Sequence, residues 1–138
     1  MIVLDTNVLS ELMRSEPSSL VLRWMDGQSP AGLYTTSLSE AEILHGVALL
    51  PEGKRRQAIA AAARAMFEED FASRVLPFGS AAARAYAALA AARRRAGRPI
   101  ATMDAQIAAV TAAAGARLAT RNVADFDGCG IDVIDPWR

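Results

Sequence analysis

Met1-Ile2-Val3-Leu4-Asp5-Thr6-Asn7 constrains this chain more than any other stretch: four apolar residues run unbroken and stop at a carboxylate. Successive strand side chains point to opposite faces, so a half-buried strand alternates apolar with polar. A run without alternation reads as a strand covered on both faces, the pattern of a central strand in a parallel sheet. In open α/β sheets, ligands bind just beyond the carboxyl ends of the strands, which is where Asp5 stands. Thr6 or Asn7 has a side-chain oxygen suited to capping the helix expected next.

Further along, short β-rich runs alternate with helical stretches. Val8–Met13 is a short helical stretch, and Pro17 with Ser18 and Ser19 opens a second that carries Leu20, Val21, Leu22, Trp24 and Met25. Leu33-Tyr34-Thr35-Thr36 suits a second strand. A helix from about Leu38 to Leu50 is broken by Pro51-Glu52-Gly53-Lys54, and Arg55–Asp70 is a long alanine-rich helix. Arg74–Phe78 is a third strand, placed at an edge by Pro77. Ser80 is suited to cap a helix that continues to Ala96 and ends at Gly97, and another helix runs from Thr102 or Met103 to Gly115. Arg117–Thr120 and Asp132–Asp135 are the fourth and fifth strands. Strands separated by helices predict an α/β sandwich with a mainly parallel sheet. At 138 residues, with no repeat and no linker, one domain is the simplest organisation.

Fifteen basic and fifteen acidic residues cancel, so any nucleic-acid contact must come from a local patch rather than the whole chain. Cys129 is the only cysteine, which excludes an internal disulfide and suits a reducing cytoplasm. No secretory leader is expected, because the N-terminus lacks a positive region and meets Asp5 too early. No apolar run reaches ~18 residues, so no membrane span is expected.

Four acids fall just past strand ends or at helix starts: Asp5, Glu42, Asp104 and Asp125. Carboxylates converging on one point repel each other, and a hard cation relieves that cost. Oxygen ligands select Mg²⁺ or Mn²⁺, and such a site can drive phosphodiester hydrolysis. Each acid also has a structural reading. Acids are favoured in the first turn of a helix. Ser39 with Glu42, and Ser37 with Glu40, have capping-box spacing; Asp104 follows Thr102; Asp125 is suited to closing a turn. Asp5, closing an apolar strand, is the least readily explained by capping.

The pieces Ile2–Asn7, Ser39-Glu40-Ala41-Glu42-Ile43 with Gly46, Ala101–Ala108 and Thr120–Phe126 together resemble PIN-domain ribonucleases. Within that family they are similar to toxins of VapBC-type toxin–antitoxin pairs, close to the FitB-like branch. The resemblance implies a PIN-like three-layer α/β/α sandwich over 1–138, with a central sheet of about five strands. It also implies an endoribonuclease dependent on Mg²⁺ or Mn²⁺, in which an activated water attacks RNA in line and leaves 5′-phosphate and 3′-hydroxyl ends. Asp5, Glu42, Asp104 and Asp125 carry the metal and the chemistry in this reading. Helical geometry places Glu40 and Glu42 on roughly opposite faces without saying which meets the site; the family's acid followed by glycine four residues on selects Glu42, and Gly46 would permit close approach there. Asp127 is an alternative fourth acid. Thr6 and Asn7 match positions that hold the first carboxylate, and Thr120 and Asn122 match positions beside the fourth. A cognate antitoxin whose C-terminal segment lies near the acids, and a homodimer, are implied as partners.

Arg93, Arg94, Arg95 and Arg98 are the candidate RNA-binding cations, because arginine pairs well with phosphate; a solvated helix end is their bland reading. Leu9, Leu12, Met13, Trp24 and Met25 supply apolar bulk suited to a partner surface. His45 stands alone and reads as structural. An aspartyl phosphatase is disfavoured, since Asn7 stands where the second aspartate belongs. The other rival, a non-enzymatic interaction module, is opposed by the complete acid set.

Overall fold

The structure, a computed structural model, describes residues 1–138. In chain order it contains β1 (Ile2–Leu4), α1 (Thr6–Leu12), α2 (Ser19–Asp26), β2 (Leu33–Thr36), α3 (Ser37–Ala48) and α4 (Lys54–Ala65). β3 (Val75–Leu76), α5 (Ser80–Arg95), α6 (Thr102–Ala113), β4 (Arg117–Ala119) and β5 (Val133–Ile134) follow. The sheet order is β3-β2-β1-β4-β5 and every pairing is parallel. β1 is therefore central, as its unbroken apolar run requires, and β3 is an edge. Val3 lies opposite Tyr34 of β2 on one side and Leu118 of β4 on the other.

β1 sorts the core into two layers. Ile2 and Leu4 pack with Val8, Leu9, Val21, Ile43 and Phe67 beneath α1 to α4, whereas Val3 packs with Leu89, Ile107, Leu118 and Phe126 beneath α5 and α6. This alternation gives the three-layer α/β/α fold that the element pattern predicts. The chain runs outward from β1 through β2 to β3, then returns to build β4 and β5 on the other side. The switch in direction falls between β1 and β4, and the crevice beyond their carboxyl ends is the place such sheets offer a ligand. No helix is long and apolar enough to cross a membrane.

Several local expectations change. Asp5 itself, rather than Thr6 or Asn7, is the N-cap of α1, accepting the Thr6 N–H at 2.8 Å. Thr36 caps α3 by accepting the Ser39 N–H at 3.1 Å, so neither capping box forms. Gly79 occupies the N-cap of α5 and Ser80 is already helical. The helix expected to reach Asp70 stops at Ala65 and widens into a π turn, Met66–Asp70, that seats Met66 and Phe67 in the core. Of the apolar residues on α1 and α2, Leu9 is fully buried, and Leu12, Met13, Trp24 and Met25 pack against the first core layer. Their bulk is largely used inside the fold; Leu20 and Leu22 are the exposed ones, at 47% and 41%.

Candidate active site

Asp5 is 5% exposed at the end of β1. One carboxylate oxygen caps α1, and the other accepts the Thr120 hydroxyl at 2.8 Å. A threonine hydroxyl has one proton and two lone pairs. Asn7 Nδ2 and the Asn122 backbone N–H both donate to Thr120 Oγ1, each at 3.1 Å. With both lone pairs taken, the single Thr120 proton is directed at Asp5. The Asn7 amide is oriented in turn, since its Oδ1 accepts the Arg121 N–H at 3.3 Å. Thr120 and Asn122 therefore serve the first acid rather than the fourth, and Asn122 does so through its backbone.

Thr6 Oγ1 donates to Glu42 Oε1 at 2.9 Å and lies 2.9 Å from Ser39 Oγ. Glu42 is thereby turned toward Asp5. Glu40, two residues back on α3, lines a different depression with Leu44, Arg56 and Arg64. Asp5, Glu42 and Asp104, the last half-buried in the first turn of α6, line one open cleft of about 480 Å³ with Asn7 and Ser10. Asp125 is exposed in a 3₁₀ turn, Val123–Phe126, and its charge is felt at both Asp5 and Asp104. Asp127 instead pairs with Arg98 at 3.6 Å. Gly46 lines the neighbouring groove, and a Cβ placed there meets no atom within 4 Å, so the chain's own packing does not demand glycine.

Burial, more than anything else, pushes the Asp5 carboxyl above the usual carboxylate range; the charges of Glu42 and Asp125 push the same way, while the Thr120 hydroxyl and the Thr6 N–H pull it back. Burial also raises Asp104, with Asp5 and Asp125 adding to it. The acids line the cleft without closing on one point: no three His, Cys, Asp or Glu side chains converge into a ready ligand set. The donors are nonetheless all hard oxygens in an electrostatically strained group. That suits a cation which keeps several waters and needs only one or two direct carboxylates, the habit of Mg²⁺.

The strain has a testable sign. A carboxyl whose folded pKa lies above its unfolded value binds its proton more tightly when folded. Its ionisation then destabilises the fold as pH rises through the carboxylate range, and the cost is complete at neutral pH. Without divalent metal, Asp104→Asn should therefore raise the melting temperature by a few degrees at pH 7 and by nothing near pH 3. Thermal melts in EDTA at the two pH values check this; equal or lower stability of the variant at pH 7 contradicts it.

Arg93 turns inward. It is 8% exposed, and its guanidinium donates to the carbonyls of Arg98, Asp125 and Asp127 at 2.7, 2.9 and 2.8 Å, with Cys129 Sγ at 3.5 Å. It clamps the turn that carries Asp125 and is not available to a phosphate. Arg98 is engaged with Asp127, while Arg94 and Arg95 are exposed at the end of α5.

Glu11 belongs to no motif in the sequence, yet it stands at the site. It is buried beside the cleft, accepts the Ser18 N–H at 2.9 Å and pairs with Arg14 at 3.2 Å, which ties the loop after α1 to the start of α2. An acid among Leu9, Leu12 and Met13 was the available signal. Arg121 and Trp137 also reach the cleft, and only the position of Arg121 just past a strand end hinted at it.

A five-stranded parallel sheet with acids gathered at the carboxyl ends of its central strands is the architecture of the PIN domain, and the chain belongs to that family: its model matches residues 2–127. The chain is 43% identical to the plasmid stability protein StbB of Pseudomonas syringae pv. tomato and 42% identical to VapC ribonuclease Y4jK of Sinorhizobium fredii. Each match covers 100% of this chain and 99% of the relative. Among solved structures it is similar to a chain of FitAB bound to an IR36 DNA fragment, with a TM-score of 0.94 and 34% identity over 100% of this chain and 96% of that one.

Proposed function

We propose that this chain is a metal-dependent endoribonuclease, the toxin of a toxin–antitoxin pair, with residues 1–138 forming one PIN domain that works in the cytoplasm. The observation that carries the reading is the locked Asp5 carboxylate, which lines one cleft with Glu42 and Asp104 at the switch point of the sheet. The VapC ribonuclease relative and the FitAB neighbour support it from outside the site.

Asp5, Glu42 and Asp104 would hold Mg²⁺ or Mn²⁺, with Asp125 serving a second ion or its waters. Such a cation, when bound, polarises the phosphodiester and makes water a competent nucleophile at neutral pH. The chain's own groups supply orientation. Thr120 and Thr6 set the two oxygens of Asp5, Thr6 sets Glu42, and Asn7 holds Thr120 in place. Outer partners of this kind tune metal affinity and activity about 10–100-fold.

Beside the acids runs a groove lined by Met13, Ile43, Val47, Leu50 and Ile59, with Arg14 and Arg55 among its polar groups. It suits the antitoxin segment that the reading includes. A homodimer belongs to the same proposal, and a strictly monomeric protein in sizing chromatography would remove it.

The test is RNA cleavage by purified, partner-free protein in Mg²⁺ or Mn²⁺, with EDTA and Asp5→Asn controls. Products should carry 5′-phosphate and 3′-hydroxyl ends. Products carrying only 2′,3′-cyclic phosphate rule out water attack, and neither cleavage nor metal binding favours an interaction module.

A further inference from the structure

We infer that Arg121, held over the Trp137 ring on the wall of the acid cleft, is the residue that grips an RNA phosphate beside the scissile bond. The inference rests on the ribonuclease reading above and names how that site holds its substrate.

An acid-lined cleft repels a polyanion, and a chain of zero net charge has no general field to overcome this. A bound divalent ion would offset the acids at the scissile phosphate alone; the chain's own grip must come from side-chain cations in the cleft, and two arginines line it, Arg14 and Arg121. Arg14 is engaged by the buried Glu11 carboxylate at 3.2 Å. The Arg121 guanidinium makes no hydrogen bond and no ion pair within the chain, although its residue borders Asp5, Glu42 and Asp104 along the cleft wall.

Arg121 is nonetheless fixed. Its backbone N–H donates to Asn7 Oδ1, in the network that locks Thr120 and Asp5. Its guanidinium carbon lies 5.0 Å from the centre of the Trp137 ring, within the range of a cation–π contact. Trp137 is set in turn by its backbone N–H, which donates to Asp135 Oδ1 at 2.9 Å, and by its packing against the first core layer. The ring contact pairs none of the guanidinium N–H donors with an oxygen, so they remain available to an acceptor. A planar fork of free donors matches two phosphate oxygens, which an ammonium cannot reproduce. Little side-chain entropy remains to be lost on binding. Arg121 is thus a binding residue, and Trp137 is a positioning residue that acts through it.

The experiment measures binding of a fluorescein-labelled single-stranded RNA by anisotropy, in Mg²⁺, over a salt series. An Asp5→Asn background prevents turnover. Arg121→Gln should weaken affinity roughly tenfold and reduce the salt slope by about 0.7, the value of one contact on a single strand. Arg121→Lys should recover only part of the loss. Trp137→Leu should weaken binding when Arg121 is present and add nothing when Arg121 is already Gln, which a general loss of stability would not do. In the otherwise wild-type enzyme, Arg121→Gln should raise KM more than it lowers kcat.

An Arg121→Gln effect no larger than that of an exposed-arginine control, Arg23→Gln with Arg84→Gln, overturns the inference while leaving a cleaving enzyme intact. RNA binding that depends on Arg121, without cleavage by the wild-type protein, supports the inference and counts against the nuclease reading. Loss of antitoxin binding with unchanged RNA affinity overturns the inference and assigns Arg121 to the protein partner.

Discussion

Asp5→Asn is expected to cut RNA cleavage by about 10²–10³-fold or more, the scale of removing a principal electrostatic group from an active site, while the protein stays folded. The two halves of that expectation have separate causes. Asparagine is as good an N-cap as aspartate, so α1 keeps the bond now made to Thr6 N–H. The charge that goes is one the fold bears at a cost, because burial and the neighbouring Glu42 and Asp125 all oppose it. Against that relief stands the buried Thr120 hydroxyl bond, which the asparagine Nδ2 cannot accept, so melting in EDTA should show only a small net change at neutral pH. Thr120→Val gives the graded companion. It removes the hydroxyl that donates to Asp5 and leaves the carboxylate in place, so cleavage should fall only about 10–100-fold. Initial rates on one RNA, with each variant's melting curve beside them, check the order. A Thr120→Val enzyme as inactive as Asp5→Asn would mean that Thr120 does more than orient the carboxylate. Full activity in Asp5→Asn would end the reading of Asp5 altogether.

Phe126→Ala is expected to cost about 3–5 kcal/mol, near the top of the range for a single core truncation. Phe126 is 2% exposed and packs in the second core layer with Val3 and Leu118, so its ring ties the turn after β4 to the central strands. A domain of this size has roughly 5–15 kcal/mol in all, and the urea midpoint should drop by a large fraction of its value with little change in slope. Asp125 is the adjacent residue but is exposed. Asp125→Asn should leave the midpoint nearly unchanged and reduce cleavage. Two neighbours on one turn then separate cleanly, one read by denaturation and the other by activity. A Phe126→Ala midpoint close to wild type would mean that the turn contributes little to the core.

The arginines show how a side chain's role escapes a linear reading. Arg93-Arg94-Arg95 looks uniform in sequence, yet Arg93 is inside, bonded to three carbonyls, while Arg94 and Arg95 are outside. Helix periodicity says that neighbours about 100° apart face different ways, but not which of them meets the Asp125 turn. The same gap separates Glu40 from Glu42. Both are acids near the start of α3, and only the docking of that helix against Thr6 decides that Glu42 joins the cleft.

What the amino-acid order determined by itself is local and periodic. An unbroken apolar run demanded a strand covered on both faces, and β1 is central; alternating strand and helix signals demanded a layered parallel sheet; a carboxylate closing the first strand marked the end at which a site would form. What only the tertiary structure decided is which groups meet. Asp5 and Thr120 are 115 residues apart and share one proton's direction, and Arg121 finds Trp137 across a turn and a strand. Propensity and period act over a few residues, whereas these contacts are set by how the chain reverses between β1 and β4, a choice made by packing the whole core at once.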